Sequence, residues 1–139
     1  MTDIEVAKVL IGAFNDRKVE RAMDLVDESA EWLMIPYGVT NHGPEGYRKH
    51  WELWTTAAPD CEIEIAELTP GPNVVTAEFI ARGTHSGPLS TPKGEIPPSN
   101  NKVELRLCDV IRIRDGRAYG SRIYFDMLSL MRQVGQVPA

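Results

Sequence analysis

The sequence predicts a single α+β domain over residues 1–139, in which helices pack on one face of a curved antiparallel sheet. Apolar residues recur at helical spacing through most of the first sixty positions, whereas four alternating, β-branched runs follow Pro59. The length of 139 residues, with 42% apolar and 25% charged side chains, is typical of one globular domain. Helices followed by a run of strands favour this layered arrangement.

The helical half begins with a capping box. Thr2 and Glu5 have the spacing in which each side chain bonds the other residue's backbone, and apolar residues at helical spacing follow. The pair Asn15-Asp16 is expected to end this helix. A second helix is predicted from Val19 to near Asp27.

A short strand and a third helix are predicted next. Residues 30–36 have the composition of a strand, and Pro36 ends it. The helix begins at Gly43-Pro44-Glu45, because proline suits the first helical position and an acidic residue suits the first turn. Its apolar stripe is Tyr47, Trp51 and Trp54.

The second half of the chain is predicted to form antiparallel strands. Asp115-Gly116 is a strong hairpin signal between the last two. Between His85 and Lys102 lies a loop with four prolines, which predicts a structureless lid or binding loop. A short final helix should run from Met127 to Val134. The predicted strands are 61–68, 74–85, 103–114 and 117–126.

Composition argues against several classes of function. A formal charge of −5 without a Lys/Arg stripe argues against nucleic-acid binding. No apolar run approaches the roughly 20 residues that span a bilayer, and the two cysteines are expected to be reduced, so we expect a cytoplasmic protein. Three scattered histidines and the lack of a phosphate-binding loop predict neither a metal nor an organic cofactor.

One carboxylate interrupts an otherwise apolar row. Alternation over 103–113 places Asp109 on the apolar face, where an ionised, unpaired carboxylate would cost several kcal/mol. We expect Asp109 to be paired, protonated or facing a wet cavity. The preceding strand ends its apolar face at His85, which shares that cavity if the strands pair, or else only bonds the loop. His42 and His50 are expected at the surface.

The last strand leaves two alternatives open. Its polar even positions are Arg122, Tyr124 and Asp126. Its apolar odd positions are Tyr119, Ile123 and Phe125. Apolarity alone turns the odd set inward. Alternatively, the odd set covers a sheet face against a second subunit, and the even set lines the pocket.

These candidates also have purely structural explanations. Asp126 precedes a helix and suits its N-cap, a role worth about 1 kcal/mol. Asp109 is also explained by an ion pair with a buried arginine such as Arg122. The large aromatic side chains are explained either by packing in the core or by contact with a ligand. Those expected to contact a substrate are Trp32, Tyr37, Trp51, Trp54, Phe79 and Tyr124.

Several segments in order resemble one family. They are GPEGYRKHWELWTTAAPD (43–60), RGTHSGPL (82–89) with GEIPPSNNKVEL (94–105), DVIRIRDGR (109–117) and YFDMLSLMRQVG (124–135). Together they resemble the SnoaL-like polyketide cyclases, or ester cyclases, of the nuclear transport factor two-like superfamily. The resemblance implies a cone-like α+β barrel with a deep pocket under the helices, commonly dimerised through the sheet.

The resemblance also implies site residues. It identifies Asp126 as the general base, and so turns Asp126, Tyr124 and Arg122 towards the pocket. It places His85 among the pocket-lining residues. Many relatives carry His and Trp in the region where this chain has Ser121 and Arg122.

The predicted activity is cofactor-independent acid/base catalysis on a hydrophobic carbonyl compound. Asp126 would remove a proton α to the carbonyl to begin an aldol cyclisation or isomerisation, while His85, Arg122 or protonated Asp109 stabilises the enolate. One alternative is an epoxide-opening or other hydrolase in which Asp109 and Asp126 handle a water. The other is a non-catalytic ligand-binding module. A homodimer through the outer sheet face is also expected.

Overall fold

The computed structural model describes residues 1–138 and confirms the α+β class. Its helices are Asp3–Asp16 (α1), Val19–Met23 (α2), Gly43–Ala57 (α3) and Met127–Gln133 (α4). Its strands are Val26–Met34 (β1), Val39–His42 (β2), Glu62–Gly71 (β3), Val74–Thr84 (β4), Leu89–Thr91 (β5), Gly94–Ile96 (β6), Lys102–Arg114 (β7) and Arg117–Phe125 (β8). A 3₁₀ helix, Ile35–Tyr37, joins β1 to β2.

Six strands form one sheet in the order β2-β1-β8-β7-β4-β3. Neighbouring strands run antiparallel except β1 and β8, which are parallel. Asp115 and Gly116 connect β7 to β8 with φ of 51° and 75°, the left-handed conformation that a tight hairpin turn of the primed type requires. The strong hairpin signal in the sequence is therefore confirmed.

The start of the chain follows its capping signal, but the second helix is shorter than predicted. The Thr2 hydroxyl accepts a hydrogen bond from the Glu5 backbone N–H at 3.2 Å, which fixes the first turn of α1. The predicted extension of α2 to Asp27 is wrong, because Val26 already pairs with Ala118 in the sheet. Burial of Val26 between helices and sheet outweighs the helical spacing.

The segment between β4 and β7 is not the structureless loop that its prolines predict. It contains the β5–β6 hairpin, whose apolar side chains Leu89 and Ile96 are buried. Gly87 anchors the segment to the end of α3, where its N–H donates to the Ala57 carbonyl at 3.0 Å. A Cβ at Gly87 would lie 1.9 Å from the carbonyl oxygen of Thr56, so only glycine fits this crossing.

The core lies between the helices and the concave face of the sheet. Val6 and Leu10 of α1 face inward, and Ile111 of β7 and Ile123 of β8 meet them from the sheet. The inward positions of β7 are the odd ones, as alternation predicts. This parity places Asp109 inside the core.

Candidate functional site

An apolar cavity lies between α1, α3 and the concave face of the sheet. It encloses about 610 Å³, including the space at its mouth. Trp54 and Phe79, two of the aromatics predicted to contact a ligand, lie in its wall. The other large side chains of the wall are Phe14, His50, Leu105, Leu107 and Leu130.

His50 is part of this wall, so its predicted surface position is wrong. Only 7% of the residue is exposed, and its ring packs edge-on against Phe14 and Trp54 at centroid distances of 6.0 and 6.4 Å. Loss of solvation lowers the pKa of His50 to about 4, so the imidazole is neutral at pH 7. It offers the cavity a polar ring without a charge.

Asp109 lies one layer below the cavity wall. Leu107 belongs to the wall, and Asp109 is the next inward residue on β7, about 7 Å further along the strand. Asp109 is 5% exposed, and the Ser121 hydroxyl donates a hydrogen bond of 2.5 Å to its Oδ1. Burial raises the pKa of the Asp109 carboxyl to about 7, and the bond from Ser121 acts in the opposite direction.

The predicted ion pair of Asp109 with Arg122 does not form. Arg122 stands opposite Val110 and lies on the other face of the sheet. Among residues 1–138, the ion pairs involve Arg48 and Arg82 only, so no cation compensates the Asp109 carboxyl. A buried carboxyl without a cation partner favours its neutral form.

Two aromatic residues lie in the core near Asp109 and Ser121. Burial and then the Asp109 charge raise the pKa of the Tyr47 phenol, whose hydroxyl donates to the Leu10 carbonyl at 2.6 Å. Trp32 packs edge-on against Tyr47 at 5.4 Å and stands opposite Ser121 in the sheet. The Trp32 indole N–H is buried without an acceptor. Because Ser121 pairs with Ile111, Trp32 lies one residue layer beyond Asp109, and its indole N–H is an unused donor in the described part of the chain.

The structure places Asp126 outside the cavity. It is the N-cap of α4, where its Oδ1 accepts the Ser129 backbone N–H at 3.0 Å, and its side chain is exposed. Tyr124 is 42% exposed, and Arg122 shares its face. The expectation that these three residues face the pocket is therefore wrong.

Apolarity alone predicts the correct face of β8 beyond a β-bulge, and the family resemblance indicated the opposite face. The pairing of β7 with β8 shifts register between Arg112 and Ile113, so both Ala118 and Ser121 point inward. Beyond the bulge the odd positions face the core: Ile123 is buried, and Phe125 packs on Trp54 at 5.6 Å. These residues cannot cover the outer sheet face, which removes this argument for a dimer.

The opposite orientations of Asp109 and Asp126 also contradict the predicted hydrolase site. Asp109 lies within the core, and Asp126 lies in solvent at the start of α4. Arg122 between them belongs to the outer face. The two carboxyl groups cannot share one water.

His85 is buried, but it anchors the loop instead of facing Asp109. Its Nδ1 accepts the Ser99 N–H at 3.2 Å and lies 2.8 Å from the Ser99 hydroxyl, and burial lowers its pKa. Asp109 pairs with Ala77, and His85 lies eight residues beyond Ala77, about 26 Å along the strand. Their predicted meeting in one cavity is wrong.

Two other predicted ligand contacts make structural hydrogen bonds. The Trp51 indole donates to the Ala13 carbonyl at 3.0 Å and thereby joins α3 to α1. The Tyr37 hydroxyl donates to the Ser90 carbonyl at 2.7 Å and ties the β5–β6 hairpin to the 3₁₀ helix. Tyr37 also packs on Trp54 and supports the cavity wall from behind.

Over residues 1–138, no three His, Cys, Asp or Glu side chains are grouped to hold a metal ion. In that part of the chain, no helix combines the length and apolarity needed to cross a membrane.

The comparisons with known proteins identify the family. A family model described as SnoaL-like polyketide cyclase matches residues 4–134. The chain belongs to this family. The resemblance that the sequence motifs indicate is therefore confirmed. A search of curated proteins finds no match in sequence.

Solved structures share the fold across nearly the whole chain. IdmH from Streptomyces antibioticus, a proposed polyketide cyclase, has a TM-score of 0.80 at 22% identity over 97% of this chain and 99% of its own. A proposed SnoaL-like polyketide cyclase from Jannaschia has a TM-score of 0.78 at 15% identity, over 97% and 94%. A Catenulispora acidiphila protein of ketosteroid isomerase-like fold, solved with trimethylamine, has a TM-score of 0.80 at 15% identity, over 98% and 96%. The predicted curved sheet packed against helices is confirmed.

Proposed function

We propose that this protein is a cofactor-independent enzyme of cyclase type that acts on an apolar carbonyl compound and uses Asp109 as its acid/base group. The observation that carries the proposal is the buried Asp109 carboxyl, which has no cation partner among residues 1–138 and is the next inward residue on β7 after Leu107 of the cavity wall. Membership of the SnoaL-like polyketide cyclase family supports a cyclase-type role. The proposal replaces Asp126 with Asp109 as the base.

The environment of Asp109 suits acid/base chemistry at neutral pH. A pKa of about 7 leaves the carboxyl divided between its two protonation states, so it can accept a proton and return it. Natural enzymes raise carboxyl pKa values in the same way, by placing them in apolar pockets. The short bond from Ser121 fixes the orientation of the carboxylate.

The proposed reaction begins with removal of a proton from the carbon α to a carbonyl. The Asp109 carboxylate accepts that proton, and the electron pair of the C–H bond forms an enolate. The enolate carbon then attacks a second carbonyl of the same molecule, so that a C–C bond closes the ring. The resulting alkoxide takes the proton back from Asp109, and the product is an isomer of the substrate.

Trp32 is the best placed donor for the enolate oxygen. Its buried N–H has no acceptor among residues 1–138, and Trp32 stands opposite Ser121, one residue layer beyond Asp109. Loss of one such donor typically costs about 3 kcal/mol of transition-state stabilisation. The reacting end of the substrate must pass Leu107 to reach this layer, while the remainder stays in the cavity.

Deuterium exchange at the α-carbon of 2-tetralone in D₂O tests the first step. The wild-type protein should accelerate exchange, and Asp109→Asn should lower the acceleration on the order of 100-fold, because general bases typically contribute 10²- to 10⁴-fold. Asp126→Asn is the matched control and should exchange like wild type. Loss of exchange in Asp126→Asn, with retention in Asp109→Asn, would contradict the proposal.

A non-catalytic ligand-binding module is the second candidate. The observation in its favour is that, within residues 1–138, no carboxylate lies in the cavity wall itself, whose ionisable side chains there are His50, Cys61 and Arg82. This candidate predicts that 2-tetralone binds to the wild-type protein without any acceleration of exchange.

A further inference from the structure

His50 borders a second cavity as well as the first. The second cavity encloses about 520 Å³, including its mouth, between α3, the 3₁₀ helix and the β5–β6 hairpin. Its walls are largely apolar, and Tyr37, which packs on the Trp54 of the first cavity, is one of them. The neutral His50 ring therefore lines both cavities, and the contact between Tyr37 and Trp54 lies between them.

The second cavity has a polar end with one positive charge. Asn41 and Lys49 line it, and Lys49 is exposed at its mouth. Among residues 1–138, no carboxylate lies within ion-pair distance of Lys49, since the neighbouring Arg48 holds the carboxylates nearby. The carboxylates that contact Arg48 are Glu20, Glu45 and Glu52.

The cation that lines the first cavity, Arg82, differs from Lys49 because it already has ion-pair partners. Arg82 lies 2.8 Å from Glu64 and 2.7 Å from Glu104, so its charge is already compensated. Of the cations that line the two cavities, Lys49 alone has no ion-pair partner in the described part of the chain. The protein has a formal charge of −5, so an anion is disfavoured over most of its surface. The ammonium group of Lys49 therefore marks a specific place at which a ligand anion can bind.

We propose that the two cavities form one bent binding site for an amphiphilic monocarboxylate, with the apolar body in the first cavity and the carboxylate at Lys49 and Asn41. The ligand chain must pass beside His50, the one side chain among residues 1–138 that lines both cavities. Lys49 donates charge-assisted hydrogen bonds, and the Asn41 amide supplies a further N–H. This inference rests on the proposed function, because it names the class of compound that the cavity takes.

Binding of dodecanoate and of 1-dodecanol, compared by calorimetry below their aggregation concentrations, tests the inference. Wild type should bind dodecanoate about tenfold more tightly than dodecanol, since a charge-assisted bond contributes about this factor. Lys49→Met should remove that preference and leave dodecanol binding unchanged. Lys8→Met, at an exposed lysine of α1, is the matched control and should keep the preference.

Three outcomes would overturn the inference: equal affinity of wild type for both probes, equal weakening of both by Lys49→Met, or no binding of either probe. None of them bears on Asp109, because the exchange assay with 2-tetralone uses an uncharged ligand. Failure of the anion site and failure of the proposed chemistry are therefore measured separately.

Discussion

Replacement of Asp109 by Asn should stabilise the protein at neutral and alkaline pH. Asparagine has nearly the same shape and can accept the bond from Ser121, but it carries no charge. The wild-type carboxyl has its pKa raised from 3.8 to about 7 by burial. Between these pH values the folded state binds a proton that the unfolded state has lost, so stability falls as the pH rises through this window.

The size of this loss in stability follows from the two pKa values of the Asp109 carboxyl. A pKa difference of about 3, at about 1.4 kcal/mol for each pH unit, corresponds to about 4 kcal/mol. The penalty is absent well below pH 3.8, still small at pH 4, and complete above the folded-state pKa. The free energy of unfolding of Asp109→Asn, taken relative to wild type, should therefore be about 4 kcal/mol higher at pH 8.5 than at pH 4.

Urea unfolding of both proteins across this pH range measures the difference in free energy of unfolding. Asp126→Asn is the control, because asparagine caps helices as well as aspartate does and the group is exposed. It keeps the buried Asp109 carboxyl, so the pH dependence that Asp109 contributes should persist in it. A pH-independent difference between Asp109→Asn and wild type would refute the reasoning, since the Asp109 carboxyl would then titrate alike in both states.

Two further predictions concern His50 and the loop crossing. Because burial lowers the pKa of His50 from 6.5 to about 4, wild type should lose about 3 kcal/mol as the pH falls through this window. His50→Asn should remove that loss, and parallel pH profiles of the two proteins would show that His50 is not responsible. Gly87→Ala should lower the free energy of unfolding by about 1–3 kcal/mol, because its Cβ meets the Thr56 carbonyl. Gly12→Ala in α1 is the matched control, since its Cβ meets no atom within 4 Å and alanine favours the helix, and it should stabilise; equal effects of the two substitutions would contradict this explanation.

Alternation predicted the interior face of β7 and, beyond the bulge, that of β8. From Val103 to Ile111 the β7 ladder has no irregularity, so counting by two places Asp109 inside. In β8 apolarity alone correctly turned Ile123 and Phe125 inward, and the bulge changes the count only before Ser121, at Tyr119. The family resemblance then favoured the wrong face and so gave Asp126 a role that its position does not support.

The two histidines show different limits of sequence reasoning. His50 lies three residues after Tyr47 and four before Trp54, which is the spacing of one helix face. This spacing predicts its burial, whereas its polarity favours the surface. His85 was expected on the correct side of its strand. The error was its distance from Asp109, which depends on the strand register.

The measurement that tests the central claim most directly is the titration of the Asp109 carboxyl carbon by NMR in protein labelled with ¹³C at aspartate. The account predicts a pKa of about 7 for Asp109, and a further rise in Ser121→Ala, because the hydroxyl that stabilises the carboxylate is lost. An Asp109 carboxyl that titrates near its ordinary value of 3.8 would contradict the account, since no buried acid would then lie below the cavity.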